Sequence, residues 1–181
     1  MGTITNNKEP ILRHIFFVLV ENRAGVLARV AGLFSARGFN IESLTVAETD
    51  DPRVSRMTIV VPGDNRIMDQ VRKQLGKLID VHKVHDFSIE ARDIVDRELV
   101  LIKLAVEDGT KRNEILQIAD VYRAKIVDMS EDSMILRGTG TQGKIQALLR
   151  CLSPYEIVEV ARSGRVAMAR GLRNSRSVST E

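Results

Sequence analysis

Twice along these 181 residues the same order of periodicities recurs: an apolar run, a helical stripe, two short extended segments, a second helical stripe and a closing extended segment. That order admits very few architectures. In the first round, residues 13–20 hold an unbroken apolar run from Ile15 to Val20, which predicts a strand buried on both faces. Val26, Leu27, Val30, Ala31, Leu33 and Phe34 follow at a spacing near that of a helix, and Gly38 supplies a left-handed stop. Residues 40–48 and the alternating Met57, Ile59 and Val61 predict two strands around the loop Thr49-Asp50-Asp51-Pro52. Asp64 opens a second helix with Ile67, Met68, Val71, Leu75, Leu78 and Ile79 on its apolar side, and residues 81–89 predict the fourth strand.

The second round starts with a buried strand at 99–106 and a helix at 111–123 that turns Ile115, Leu116, Ile118, Ala119 and Tyr122 inward. Strands at 125–129 and 133–137, a helix from Thr141 to about Ser153-Pro154, and a strand at 157–161 complete it. Two βαββαβ units predict an α+β chain of two ferredoxin-like sandwiches, each an antiparallel sheet with both helices on one face. The expected divisions are a polar tail at 1–11, a first domain at 12–90, a charged linker at 91–98, a second domain at 99–164 and a basic tail at 165–181. The end of that tail, 171–181, is rich in serine and arginine and expected to be disordered.

Charge and composition exclude several roles. Residues 1–161 carry 22 basic and 23 acidic groups, whereas 162–181 carry five arginines and one glutamate, so the basic excess belongs to the tail and marks no nucleic-acid face on the folded body. Aromatic content is only 4%, with Phe16 and Phe34 at core positions, which argues against RNA stacking on a sheet. No apolar run can span a bilayer and the first ten residues hold no apolar signal region, so a cytoplasmic chain with no membrane partner is expected. The one cysteine, Cys151, falls among Ile145, Leu148, Leu149 and Leu152 and is expected in the core. His82 and His85 would point to opposite faces of a strand, with no third ligand for a metal. Gly138-Thr139-Gly140-Thr141-Gln142-Gly143 matches a dinucleotide fingerprint in letters, but it sits late in a sandwich with no parallel crossover, and a turn before a helix is expected instead. No nucleophile–base pair or paired acids stand out, so no independent active site is expected.

The segment best suited to chemistry is the turn between the first strand and the first helix. Asn22 and Gly25 precede the helix start at Val26 and Leu27, where unpaired N–H groups and the positive dipole end favour a carboxylate. Glycine at 25 allows close approach, and the amides of Asn22 and Asn40 can both donate and accept. Together with Gly38-Phe39-Asn40-Ile41, this segment resembles the effector loop of ACT domains, regulatory modules that bind amino acids and pair edge to edge. The runs Glu42-Ser43-Leu44-Thr45-Val46, Asp50-Asp51-Pro52, Ser55-Arg56-Met57-Thr58 and Ile157-Val158-Glu159-Val160-Ala161-Arg162-Ser163-Gly164 are similar to the small regulatory subunits of acetohydroxyacid synthase (acetolactate synthase).

That resemblance implies a non-catalytic subunit that activates a catalytic large subunit and confers feedback inhibition by valine or another branched-chain amino acid. The effector would lie between the ACT domains of a homodimer, held by Asn22, Gly25, Val26 and Leu27 of one chain and by Asn40 and Ile41 of the other. Thiamine diphosphate, magnesium and FAD would belong to the large subunit, which condenses two pyruvates, or pyruvate with 2-oxobutyrate; this chain would hold no cofactor. The alternative is a stand-alone ACT-type sensor acting on another enzyme or a transcriptional partner.

Overall fold

The first strand, β1 (Leu12–Glu21), is buried on both faces, as its unbroken apolar run predicts: Phe16 and Phe17 point to opposite sides and neither is accessible. In the computed structural model, which describes residues 12–87, 94–106 and 108–171, β1 leads into α1 (Val26–Ser35), β2 (Ser43–Glu48), β3 (Val54–Gly63), α2 (Asn65–Leu75) and β4 (Val81–Asp86). The sheet has the order β2-β3-β1-β4 with every neighbouring pair antiparallel. Register places Phe16 opposite Ile59 and Val18 opposite Met57. These side chains pack with Val26, Val30 and Phe34 of α1 and Met68, Val71 and Leu75 of α2 in one core. On the other face, Phe17 packs 6.0 Å from Phe87 and under the Arg56 guanidinium, whose pKa is lowered by burial.

The chain divides after Ile94 and again after Met168 into two units. The second contains β5 (Ile94–Ala105), α3 (Gly109–Val121), β6 (Lys125–Met129), β7 (Ser133–Gly140), α4 (Gln142–Leu152) and β8 (Ile157–Arg162), followed by β9 (Val166–Ala169). Its order, β6-β7-β5-β8, repeats that of the first sheet strand for strand, and β9 adds to β5. A separate core joins Val100, Ile102 and Leu104 to Ile115, Ile145, Leu148 and Leu152.

The structure corrects several expectations. Residues 94–98, assigned to a linker, form the start of β5, and 166–169, assigned to the tail, form β9. Charge concealed both. Asp96 pairs with Arg165 and Glu98 with Arg162 at 2.6 Å, so acids and arginines that read as solvated segments neutralise one another across the sheet. Leu27, placed on the apolar side of α1, is 44% exposed; Ile67 is also exposed, and Ile79 lies past the end of α2 with 92% of its surface free. Cys151 is exposed rather than in the core, with its Sγ 3.1 Å from the Tyr122 hydroxyl. Gly138 and Gly140 belong to β7, so the glycine pattern begins in a strand and not in a loop. The polar tail at 1–11, the end of the fourth strand at 88–89, the linker at 91–93 and the segment 172–181 lie outside the described residues.

Candidate functional site

The turn after β1 is fastened to the β2–β3 hairpin by one residue. Asn22 N donates to Arg53 O at 2.7 Å, and Nδ2 donates to Glu48 Oε1 and to Pro52 O, both at 2.9 Å. Its Oδ1 accepts from Ser55 Oγ at 3.0 Å. Both amide hydrogens are thereby used, and one lone pair on Oδ1 remains. What Asn22 has left to offer is an acceptor.

Gly25 comes next, in the left-handed region at φ 85, as the N-cap of α1. No side chain caps this helix. The other described helices each carry a cap: Asp64 accepts from Arg66 N at 2.7 Å, Asp108 from Thr110 N at 3.0 Å, and Thr141 from Lys144 N at 3.4 Å. Val26 N donates to Arg23 O at 3.4 Å and Arg29 N to Gly25 O at 3.1 Å, so the first turn of α1 presents the N–H groups of Leu27 and Ala28 with no side-chain acceptor in front of them, at the positive end of the helix dipole. A Cβ built at Gly25 would meet nothing within 4 Å, so the approach is open. Val26 is buried in the core, and Leu27 projects outward beside this entrance.

Two arginines flank it, and both reach one buried acid. Arg23 donates to Asp80 Oδ1, with Nε at 3.0 Å, and Arg29 lies 2.7 Å from Oδ2. Hydrogen bonding from Arg23, together with the charges of both arginines, holds the Asp80 carboxyl below the usual carboxylate range, against the opposing effect of burial. Sequence reasoning missed Arg23, Arg29 and Asp80, and also the buried pair of His14 Nδ1 with Asp86 Oδ2 at 2.8 Å.

Asn40 and Ile41 lie at the other end of α1. The helix stops through Gly38 at φ 71, Phe39 N donates back to Phe34 O at 3.1 Å, Ile41 packs partly on the core and Asn40 is exposed. A ten-residue helix is about 15 Å long. Within one chain, then, Asn22, Gly25, Val26 and Leu27 are gathered, and Asn40 with Ile41 stands a helix length away. His82 Nε2 lies 3.1 Å from Glu21 Oε1, His85 meets Phe87 edge-on at 5.0 Å, and no cluster of three or more metal-ligating side chains occurs among the described residues.

Comparison with known proteins gives this geometry its context. Residues 97–171 match the family model for the small subunit of acetolactate synthase, and residues 16–83 match the ACT domain of AHAS small subunit-like proteins. A probable acetolactate synthase small subunit of Archaeoglobus fulgidus is 50% identical over 88% of this chain and 98% of its own length. The chain belongs to the acetolactate synthase small subunit family. The small subunit of Mycolicibacterium smegmatis is 49% identical, over 88% of this chain and 92% of its own. The crystal structure of the acetolactate synthase small subunit from Thermotoga maritima superposes with a TM-score of 0.82 at 39% identity, covering 89% of this chain and 99% of that one. In this family member the first βαββαβ unit is the ACT domain, and the turn at Asn22 and Gly25 lies within it.

Proposed function

We propose that this chain is the regulatory subunit of acetolactate synthase, raising the activity of the catalytic large subunit and making it sensitive to valine or another branched-chain amino acid. The uncapped entrance of α1 at Gly25 carries the reading. A carboxylate fits the N–H groups of Leu27 and Ala28, an ammonium fits the remaining lone pair of Asn22 Oδ1, and the outward Leu27 side chain supplies apolar surface for a branched side chain. Because Asn40 and Ile41 stand at the far end of α1, a pocket that uses both groups takes the second from another copy. The effector site is accordingly shared between the ACT domains of a homodimer. Discrimination among valine, leucine and isoleucine rests on a methylene and amounts to about 1–3 kcal/mol.

The chain itself is non-catalytic in this reading, holds no cofactor and acts in the cytoplasm, with no nucleic-acid or membrane partner. Thiamine diphosphate, magnesium and FAD reside in the large subunit. The effector controls activity by binding one arrangement of the paired ACT domains more tightly than another, since a ligand shifts an equilibrium only by that difference. Reconstitution with the large subunit tests this directly. Acetolactate formation should rise on mixing and fall when valine is added. Gly25→Asp places a second carboxylate where the first must bind, and should abolish the valine response while keeping the activation. No activation on mixing, or a Gly25→Asp subunit that still responds to valine, would overturn the reading.

A further inference from the structure

Asp80 lies just before β4 and is only 2% exposed. Its carboxylate receives Arg23 and Arg29, and its backbone carbonyl accepts from Glu21 N at 2.9 Å. One residue thus grips three points of the segment 21–29, on both sides of Gly25. In the other described helices the entrance is fixed by a side-chain cap, which consumes the N–H groups it fixes. At α1 the entrance is fixed from outside instead, and the Leu27 and Ala28 N–H groups are left for another acceptor. The Arg23 and Arg29 side chains are 59% and 52% exposed, so each guanidinium also keeps donors directed to solvent.

We propose that Asp80 is the positioning residue of the effector site: acting through Arg23 and Arg29, it holds the α1 entrance rigid and sets two guanidiniums beside the N–H groups that take an amino acid's carboxylate. The inference rests on the reading that this turn binds a branched-chain amino acid. Its physical basis is preorganisation, because a ligand meeting donors already in place does not bear the cost of ordering them. Asp80 is not a ligand contact. Its effect reaches the ligand through the two arginines.

Calorimetric titration of the purified full chain with L-valine, L-leucine and L-isoleucine, alongside thermal melts, tests this. The comparison is Asp80→Asn against Asp86→Asn, since Asp86 is an equally buried acid of the same unit, paired with His14 at 2.8 Å. Both variants should melt earlier. Only Asp80→Asn should weaken amino-acid binding, by about tenfold or more, with Asp86→Asn within about twofold of wild type. Arg29→Gln, at a half-exposed position, should melt close to wild type and bind several-fold more weakly, and it carries the test if Asp80→Asn does not fold. Wild-type binding together with an Asp80→Asn or Arg29→Gln affinity no weaker than that of Asp86→Asn overturns the positioning role alone. A wild-type chain that binds none of the three amino acids overturns the reading of the site, and the inference with it.

Discussion

At Gly25 it is the backbone and not the packing that requires glycine. The residue sits at φ 85 with nothing within 4 Å of an added Cβ, so Gly25→Ala introduces no clash. It should nevertheless cost about 1–2 kcal/mol through left-handed strain, seen as a lower urea midpoint with an unchanged slope. Carboxylates give a second prediction. Arg53 hydrogen bonds draw the Asp51 pKa down to about 2, and Arg23 and Lys73 lower those of Asp80 and Asp69. Each group binds its proton more weakly folded than unfolded, so the stability it adds is complete above the unfolded value of 3.8 and is lost as pH falls toward the folded one. The melting temperature should decline between about pH 4 and pH 2, and Arg53→Ala should make that decline shallower. Gly38 was legible in the sequence because an apolar helical stripe that ends must leave the helix, and glycine enters the left-handed region without steric cost. The Asp80 clamp was not, since Arg23 and Asp80 are 57 positions apart and an acid between Ile79 and Val81 has no local pattern to mark it as paired.

Among the elements, β7 and α4 meet through the glycine pattern that matches a phosphate loop in letters only. A Cβ at Gly138 would stand 3.0 Å from Val100 Cγ1 and 3.1 Å from Leu148 Cδ2, both in the second core. At Gly140 it would stand 2.6 Å from Lys144 Cδ and 3.1 Å from Lys144 Cβ, at the first turn of α4. Gly138→Ala should therefore destabilise by about 1–3 kcal/mol, which denaturant unfolding of the variant resolves. Capping gives a parallel case: Asp64 accepts from Arg66 N and Ile67 N at the start of α2, and Asp64→Ala should cost about 1 kcal/mol in the same assay. Asp64 and Thr141 were both readable as helix starts, because each precedes an apolar stripe directly. The start of β5 was hidden because cross-strand ion pairs let charged residues lie in a sheet, and β9 because its four apolar residues sit between Arg165 and Arg170 in a segment that reads as a basic tail. Exposure of Leu27 and Ile67 was hidden because helical periodicity identifies a stripe and does not set its width.

Over the whole chain, the two rounds of βαββαβ were the most legible level of all. The same strand order in both sheets, with the first and third strands of each round paired at the centre, follows from that succession and from the preference for antiparallel neighbours with both helices on one face. Neither round, however, revealed that its partner strands would carry charge, or that the thiol among four leucines and isoleucines would face outward. That last feature has a practical use. With one cysteine in the sequence, and that one exposed on α4, the native protein can take a single maleimide fluorophore with no engineered residue. The dye would sit in the second unit, whereas the proposed effector site is in the first. A change in its emission on adding valine would read out, in unmodified sequence, whether occupancy of one unit is felt in the other.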